Sequence, residues 1–223
     1  MMNKYKFTAA IAASALTLGT LPAAFVANAA PPLEEAVAFP ESGRYIADIP
    51  GVDGSTMKMA ITVDGDDVAA YATDGTTDEA YFTGVEQNGA IELTSTYQDQ
   101  LTAAFDGTSL DGTLTMNDVA RPFEASAVTA PAGLYTSVVG DTRATWVVLP
   151  DHTMTGMQDT TSGRADELIG ALTEGQPGFE DQVRQLRLDR QLEPAPTLTY
   201  GTWNVDVEGT PMTAVPVAGN TTF

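Results

Sequence analysis

The chain has 223 residues, with 30 Asp and Glu against 10 Lys and Arg, one His and no Cys. A formal net charge of −20 repels nucleic acid and anionic lipid surfaces, so neither is expected as a partner. Without Cys there is no disulfide and no lipid-anchored thiol, and core burial alone must hold the fold.

Lys4 and Lys6 precede a small-residue apolar stretch over 8–21, and Ala27-Asn28-Ala29 follows as an A-x-A site. This pattern predicts a secretory signal peptide over 1–29, cut before Ala30. The apolar run is too short for a membrane span and no second one follows. The mature protein is therefore expected to be secreted, extracellular or held at the cell envelope by partners. Removing the signal leaves 8 basic residues against 30 acidic ones, with Lys58 the only Lys. Such a surface keeps an exported protein dispersed, or attracts divalent cations or a basic partner.

Residues 30–43 carry Pro31, Pro32, Pro40, Glu34 and Glu35, a linker composition. A first strand is predicted over 44–49. From 56 to 127 the text is a run of short strands divided by Asp64-Gly65, Asp74-Gly75, Asn88-Gly89 and Asp106-Gly107. Met57, Met59, Ile61 and Val63 alternate with Lys58, Ala60 and Thr62, the period of a strand with one buried face. Asn-Gly and Asp-Gly recur because hairpin turns need positive φ. The fold expected is all-β: an antiparallel meander over 44–139 forming a barrel or a sandwich. The meander includes a strand near 132–138, and the β-structure continues over 140–223, with strands near 144–149, 153–157, 197–201, 202–207 and 212–217. It is interrupted near 162–193 by a two-helix insert. There Ala165, Leu168, Ile169 and Leu172 share one helical face, with Asp166 and Glu167 expected in the first turn, and Phe179, Val183 and Leu186 mark a second helix. No fixed-period repeat is present.

Chemistry-bearing residues are sparse. His152, the only His, follows Pro150-Asp151 and reads as a turn residue; any His-dependent hydrolysis would have to use it. The acidic turns over 64–67 and 74–79 offer oxygen atoms but not the spacing of a calcium loop, and no metal site or cofactor is expected. Paired carboxylates for a hydrolase are not selected by any pattern. Arg184, Arg187 and Arg190 form a stripe at spacing three. It reads either as local pairing with Glu180 and Asp181 or as a contact for an acidic protein or glycan of the envelope. Tyr135, Trp146, Tyr200 and Trp203 fall in predicted strands, where aromatics serve the core; lining a barrel mouth, Tyr135, Trp146 and Trp203 would instead hold an apolar or sugar ligand.

Six phrases resemble a β-rich domain that recurs in exported cell-envelope proteins of actinobacterial type. They are Ala70-Tyr-Ala-Thr-Asp-Gly75, Glu79-Ala-Tyr-Phe-Thr-Gly84, Leu110-Asp-Gly-Thr-Leu-Thr115, Phe123-Glu-Ala125, Ala132-Gly-Leu-Tyr135 and Trp146-Val-Val-Leu-Pro-Asp151. The resemblance implies an envelope or extracellular setting and carries no assigned activity or site residues. The function expected is a non-catalytic binding or assembly protein, with 162–193 as its partner surface. A ligand-binding barrel and a carboxylate hydrolase are the alternatives.

Overall fold

The computed structural model describes residues 37–51, 54–172 and 175–223. The expected signal peptide and most of the linker lie outside the described residues. Eight strands come first: β1 (Ser42–Pro50), β2 (Thr56–Asp64), β3 (Asp67–Thr73), β4 (Glu79–Gln87), β5 (Ala90–Thr94), β6 (Gln100–Phe105), β7 (Ser109–Met116) and β8 (Val119–Ala127). They pair in sequence order, and β8 returns to β1 to close an antiparallel barrel. Gly65, Gly75, Gly89 and Gly107 all take positive φ, as the turn chemistry requires.

Alternation fills the barrel. Tyr45, Met59, Ile61, Phe82, Leu101, Leu110, Leu114 and Phe123 point inward and form a packed core. An eight-stranded barrel is just wide enough for such side chains to fill it. Closure is uneven at two seams. β4 pairs with β5 only at Glu86↔Ile91 and Gln87↔Ala90, and β1 pairs with β8 only from Tyr45↔Ala127 to Ala47↔Ala125. The beginning of β4, including Glu79, is thus bonded on its β3 side and splayed from β5.

The barrel closes at Ala127, short of the boundary expected at 139. After a cis Ala130–Pro131 bond a second sheet begins. It comprises β9 (Gly133–Val139), β10 (Thr142–Val148), β11 (Met154–Asp159), β12 (Leu192–Pro194) and β15 (Val215–Pro216), in the order β12-β11-β10-β9-β15. A hairpin of β13 (Asn204–Val207) and β14 (Thr210–Thr213) stands apart from it in hydrogen bonding. The second sheet covers the outside of the first staves. Ala60, Ala69, Tyr71 and Tyr81 meet Leu134, Val147, Val217 and Phe223. This explains why β3 is buried on both faces, and why its outward positions include a small residue, Ala69.

Between β11 and β12 lie α1 (Ser162–Gly170) and α2 (Phe179–Leu188), the expected insert. α1 begins at Ser162, so its first turn carries no acid, contrary to the placement expected for Asp166 and Glu167. α2 has Glu180 and Asp181 in its first turn and buries a single side chain, Val183. The strands expected over 197–201 and 202–207 reduce to β13, because Tyr200, Gly201, Thr202 and Trp203 make a turn. Among the described residues no helix is long and apolar enough to cross a membrane.

Candidate functional site

The arginine stripe is largely consumed inside the protein. Arg187 donates through Nη1 to Asp99 Oδ1 at 2.6 Å and through Nη2 to Asp78 Oδ1 at 2.9 Å. Arg190, just beyond the C-cap Asp189, donates through Nε to Asp159 Oδ2 at 2.9 Å and through Nη1 to the Glu79 carbonyl at 3.3 Å, and its Nη2 bonds Glu79 Oε1. Its guanidinium also lies 4.8 Å from the centre of the Tyr97 ring. The Arg190 side chain is only 2% exposed, so it is not available to a partner. Only Arg184 of the three is exposed; it lines an open cleft of about 570 Å³ with Tyr97, Asn117 and Glu180. Spacing revealed a charged helical face but not its distant partners. The acids that Arg187 meets are 88 and 109 positions away, rather than the local Glu180 and Asp181.

Glu79 and Asp159 share that one guanidinium and are 0% and 1% exposed. The Tyr71 hydroxyl donates to Glu79 Oε2 at 2.7 Å and accepts the Met157 N–H at 3.1 Å, tying β3 to β11. The Tyr81 hydroxyl lies 3.1 Å from Glu79 Oε2 and 3.0 Å from Thr145 Oγ1. Asp159 Oδ1 accepts the N–H and hydroxyl of Thr161 at 2.8 and 2.7 Å. The carboxylates are sealed under the insert and saturated, an arrangement that fastens α2, the barrel and the second sheet together.

Burial lifts the Glu79 carboxyl above its ordinary range, with the neighbouring Asp159 charge adding to the effect against Arg190. Burial likewise lifts Asp99 against Arg187. A carboxyl whose folded value is raised binds more protons in the folded state than in the unfolded one. Lowering the pH through the folded value therefore stabilises the protein. Asp74, Asp106 and Asp151 act in the opposite sense, because hydrogen bonds from their turns hold them low, Asp106 at about 2. Their contribution is lost as the pH falls below the ordinary carboxylate range. Relief of the negative self-repulsion acts with Glu79 and Asp99. The midpoint of thermal unfolding is expected to rise from pH 7.5 to a maximum near the ordinary glutamate value of 4.5, and to fall below it. Scanning fluorimetry across this range checks it; a midpoint that only falls on acidification contradicts it.

The aromatic residues form a ladder that runs from the second core to solvent. Trp146, opposite Tyr135 in the β9–β10 register, is 2% exposed and donates through Nε1 to the Pro196 carbonyl at 3.0 Å. Tyr135 is 3% exposed and donates its hydroxyl to the Pro131 carbonyl at 3.0 Å. Both therefore belong to the core of the second sheet rather than to a barrel mouth, and they pack with Val148, Val205 and Val207. Trp203 stacks on Tyr135 with centroids 4.5 Å apart, and Tyr200 meets Trp203 edge-on at 5.2 Å. His152 stacks on Tyr200 at 4.1 Å with 24° between planes. His152 and Tyr200 are exposed and Trp203 is half-buried.

The backbone beneath two of these rings is unusual. His152 has φ 71° and Trp203 φ 58°, left-handed values that cost side-chain-bearing residues free energy. Asp151 holds the first turn by accepting the N–H and hydroxyl of Thr153 at 3.0 and 2.6 Å. The second is held by Trp203 N–H donating to the Thr199 carbonyl at 2.8 Å, while the Trp203 carbonyl accepts the Ala214 N–H at 2.8 Å. His152 is a turn residue, as its sequence context implied, but its ring also completes an aromatic face. Strand alternation alone missed that face; Gly201 between Tyr200 and Trp203 was the one signal of a turn there.

The acidic turns hold backbone. Asp74 Oδ1 accepts the N–H groups of Thr76, Thr77 and Asp78, and Asp64 Oδ2 accepts that of Gly219. Among the described residues no group of three or more His, Cys, Asp or Glu side chains is placed to hold a metal ion. No protein-family model, curated protein or solved structure matches the chain.

Proposed function

We propose that this chain is an exported, non-catalytic glycan-binding protein of the cell envelope. Export is supported by Lys4, Lys6, the apolar stretch over 8–21 and the site at 27–29. The envelope setting is supported by the resemblance of its strand–turn phrases to domains of that compartment. The observation that carries binding is the exposed stack of His152 on Tyr200, braced from below by Trp203 and Tyr135. Rings held by one another lose little freedom when a ligand arrives, and their apolar surface suits the C–H face of a sugar ring. The filled barrel interior favours a surface platform over an enclosed ligand.

Calorimetric titration with soluble fragments of envelope polysaccharide tests the reading. Wild-type protein is expected to bind, and Tyr200→Ala to weaken binding by about tenfold or more, the loss typical of a central aromatic contact. Trp203 emission should shift on binding, while Trp146 is buried and silent. Absence of both heat and spectral change in the wild type overturns it.

A further inference from the structure

The geometry points to an acidic sugar as the ligand of this face, its carboxylate read by Arg44 at the Tyr135 end; this rests on the glycan-binding reading above. Arg44 lies on β1 and is half-buried. Arg187 and Arg190 each engage two carboxylates, whereas Arg44, like Arg121 and the exposed Arg164 and Arg184, meets none among the described residues, in a chain with three acids for every base; Arg44 is the one of these four placed beside the aromatic face. Its side chain runs along the start of β9. A Cβ added at Gly133 would stand 3.3 Å from Arg44 Cδ and 3.8 Å from Nη1, so the glycine notch admits the arginine. Side chains two apart on a strand share a face, which puts the guanidinium on the same face of β9 as Tyr135, the ring that carries Trp203. The Tyr135 hydroxyl is within electrostatic reach of both Arg44 and Tyr200, consistent with the arginine lying beside the ladder.

The two ends of the face differ in charge. Beyond His152 stands Asp151, whose carboxylate is held ionised by Thr153 and repels an anion. Arg44 stands at the other end. A sugar lying across the rings would thus be oriented, its carboxylate toward Arg44 and its neutral edge toward Asp151. A guanidinium presents paired N–H donors that match a carboxylate, and its poor hydration favours that contact at a half-buried position.

The test is calorimetric titration with two probes, a glucose trimer and the same trimer oxidised at C6 to glucuronate. Wild-type protein is expected to bind the glucuronate trimer about tenfold more tightly, with the preference shrinking as salt rises. Arg44→Gln should bring the ratio of the two affinities close to one, and Arg44→Lys should restore part of it. Tyr200→Ala should weaken both probes. A wild type without preference, or a ratio unmoved by Arg44→Gln while Tyr200→Ala still weakens both, overturns the role of Arg44 alone. Binding of both probes untouched by Tyr200→Ala overturns the platform reading and this inference with it.

Discussion

Replacing Arg190 by methionine is expected to lower the free energy of unfolding by about 3–5 kcal/mol, the loss typical of removing one partner from a buried ionic cluster. The guanidinium supplies hydrogen bonds to the Glu79 carboxylate, the Glu79 carbonyl and Asp159 Oδ2, at a side chain only 2% exposed. Without it two carboxylates remain close together in a site from which water is excluded. Methionine keeps most of the volume, so the loss reports charge rather than a void. Glu79→Gln in the same chain should recover part of the loss, because the two changes touch one network and cannot be additive. Arg184→Met, at an exposed position of the same helix, should stay within about 0.5 kcal/mol of wild type. Urea unfolding followed by circular dichroism measures all three. A loss below about 1 kcal/mol for Arg190→Met would mean the cluster is hydrated and does not fasten the insert.

The second large effect is expected at Trp146. Truncation to alanine removes the largest fully buried side chain of the molecule and leaves the Pro196 carbonyl without its donor. Cavity formation at a buried tryptophan costs about 3–5 kcal/mol, and the orphaned acceptor adds to it. Trp203→Ala should cost clearly less, since that ring is half-buried and bears on Tyr135 from one side. The order of the two losses in urea unfolding separates a core residue from a platform residue. Equal losses, or a larger one at Trp203, would contradict the placement of Trp146 within the second core.

Legibility differed between the halves of the chain. In β2 the alternation of Met57, Met59, Ile61 and Val63 with Lys58, Ala60 and Thr62 announced a strand, and the Asp-Gly and Asn-Gly pairs announced its hairpins. These are local properties of period and φ, so they can be read without knowing the neighbours. Closure into a barrel was open, because alternation says which residues share a face but not whether the last strand meets the first. The turn at Tyr200–Trp203 hid within strand-like text, since Thr199, Tyr200, Thr202 and Trp203 all suit strands and only Gly201 does not.

The candidate site was least legible where its members are far apart in the chain. His152 and Tyr200 come from different loops, and Arg44 reaches β9 from the first strand. By itself the sequence determined an acidic, cysteine-free, glycine-punctuated β protein with a helical insert, because composition, alternation and positive-φ turns act over a few residues. Only the tertiary structure decided which charges are buried, which rings reach solvent and which arginine lies unpaired beside those rings among the described residues. Burial and pairing depend on chain segments brought together across many tens of positions, and a guanidinium three places along a helix carries no mark of the carboxylate it will meet.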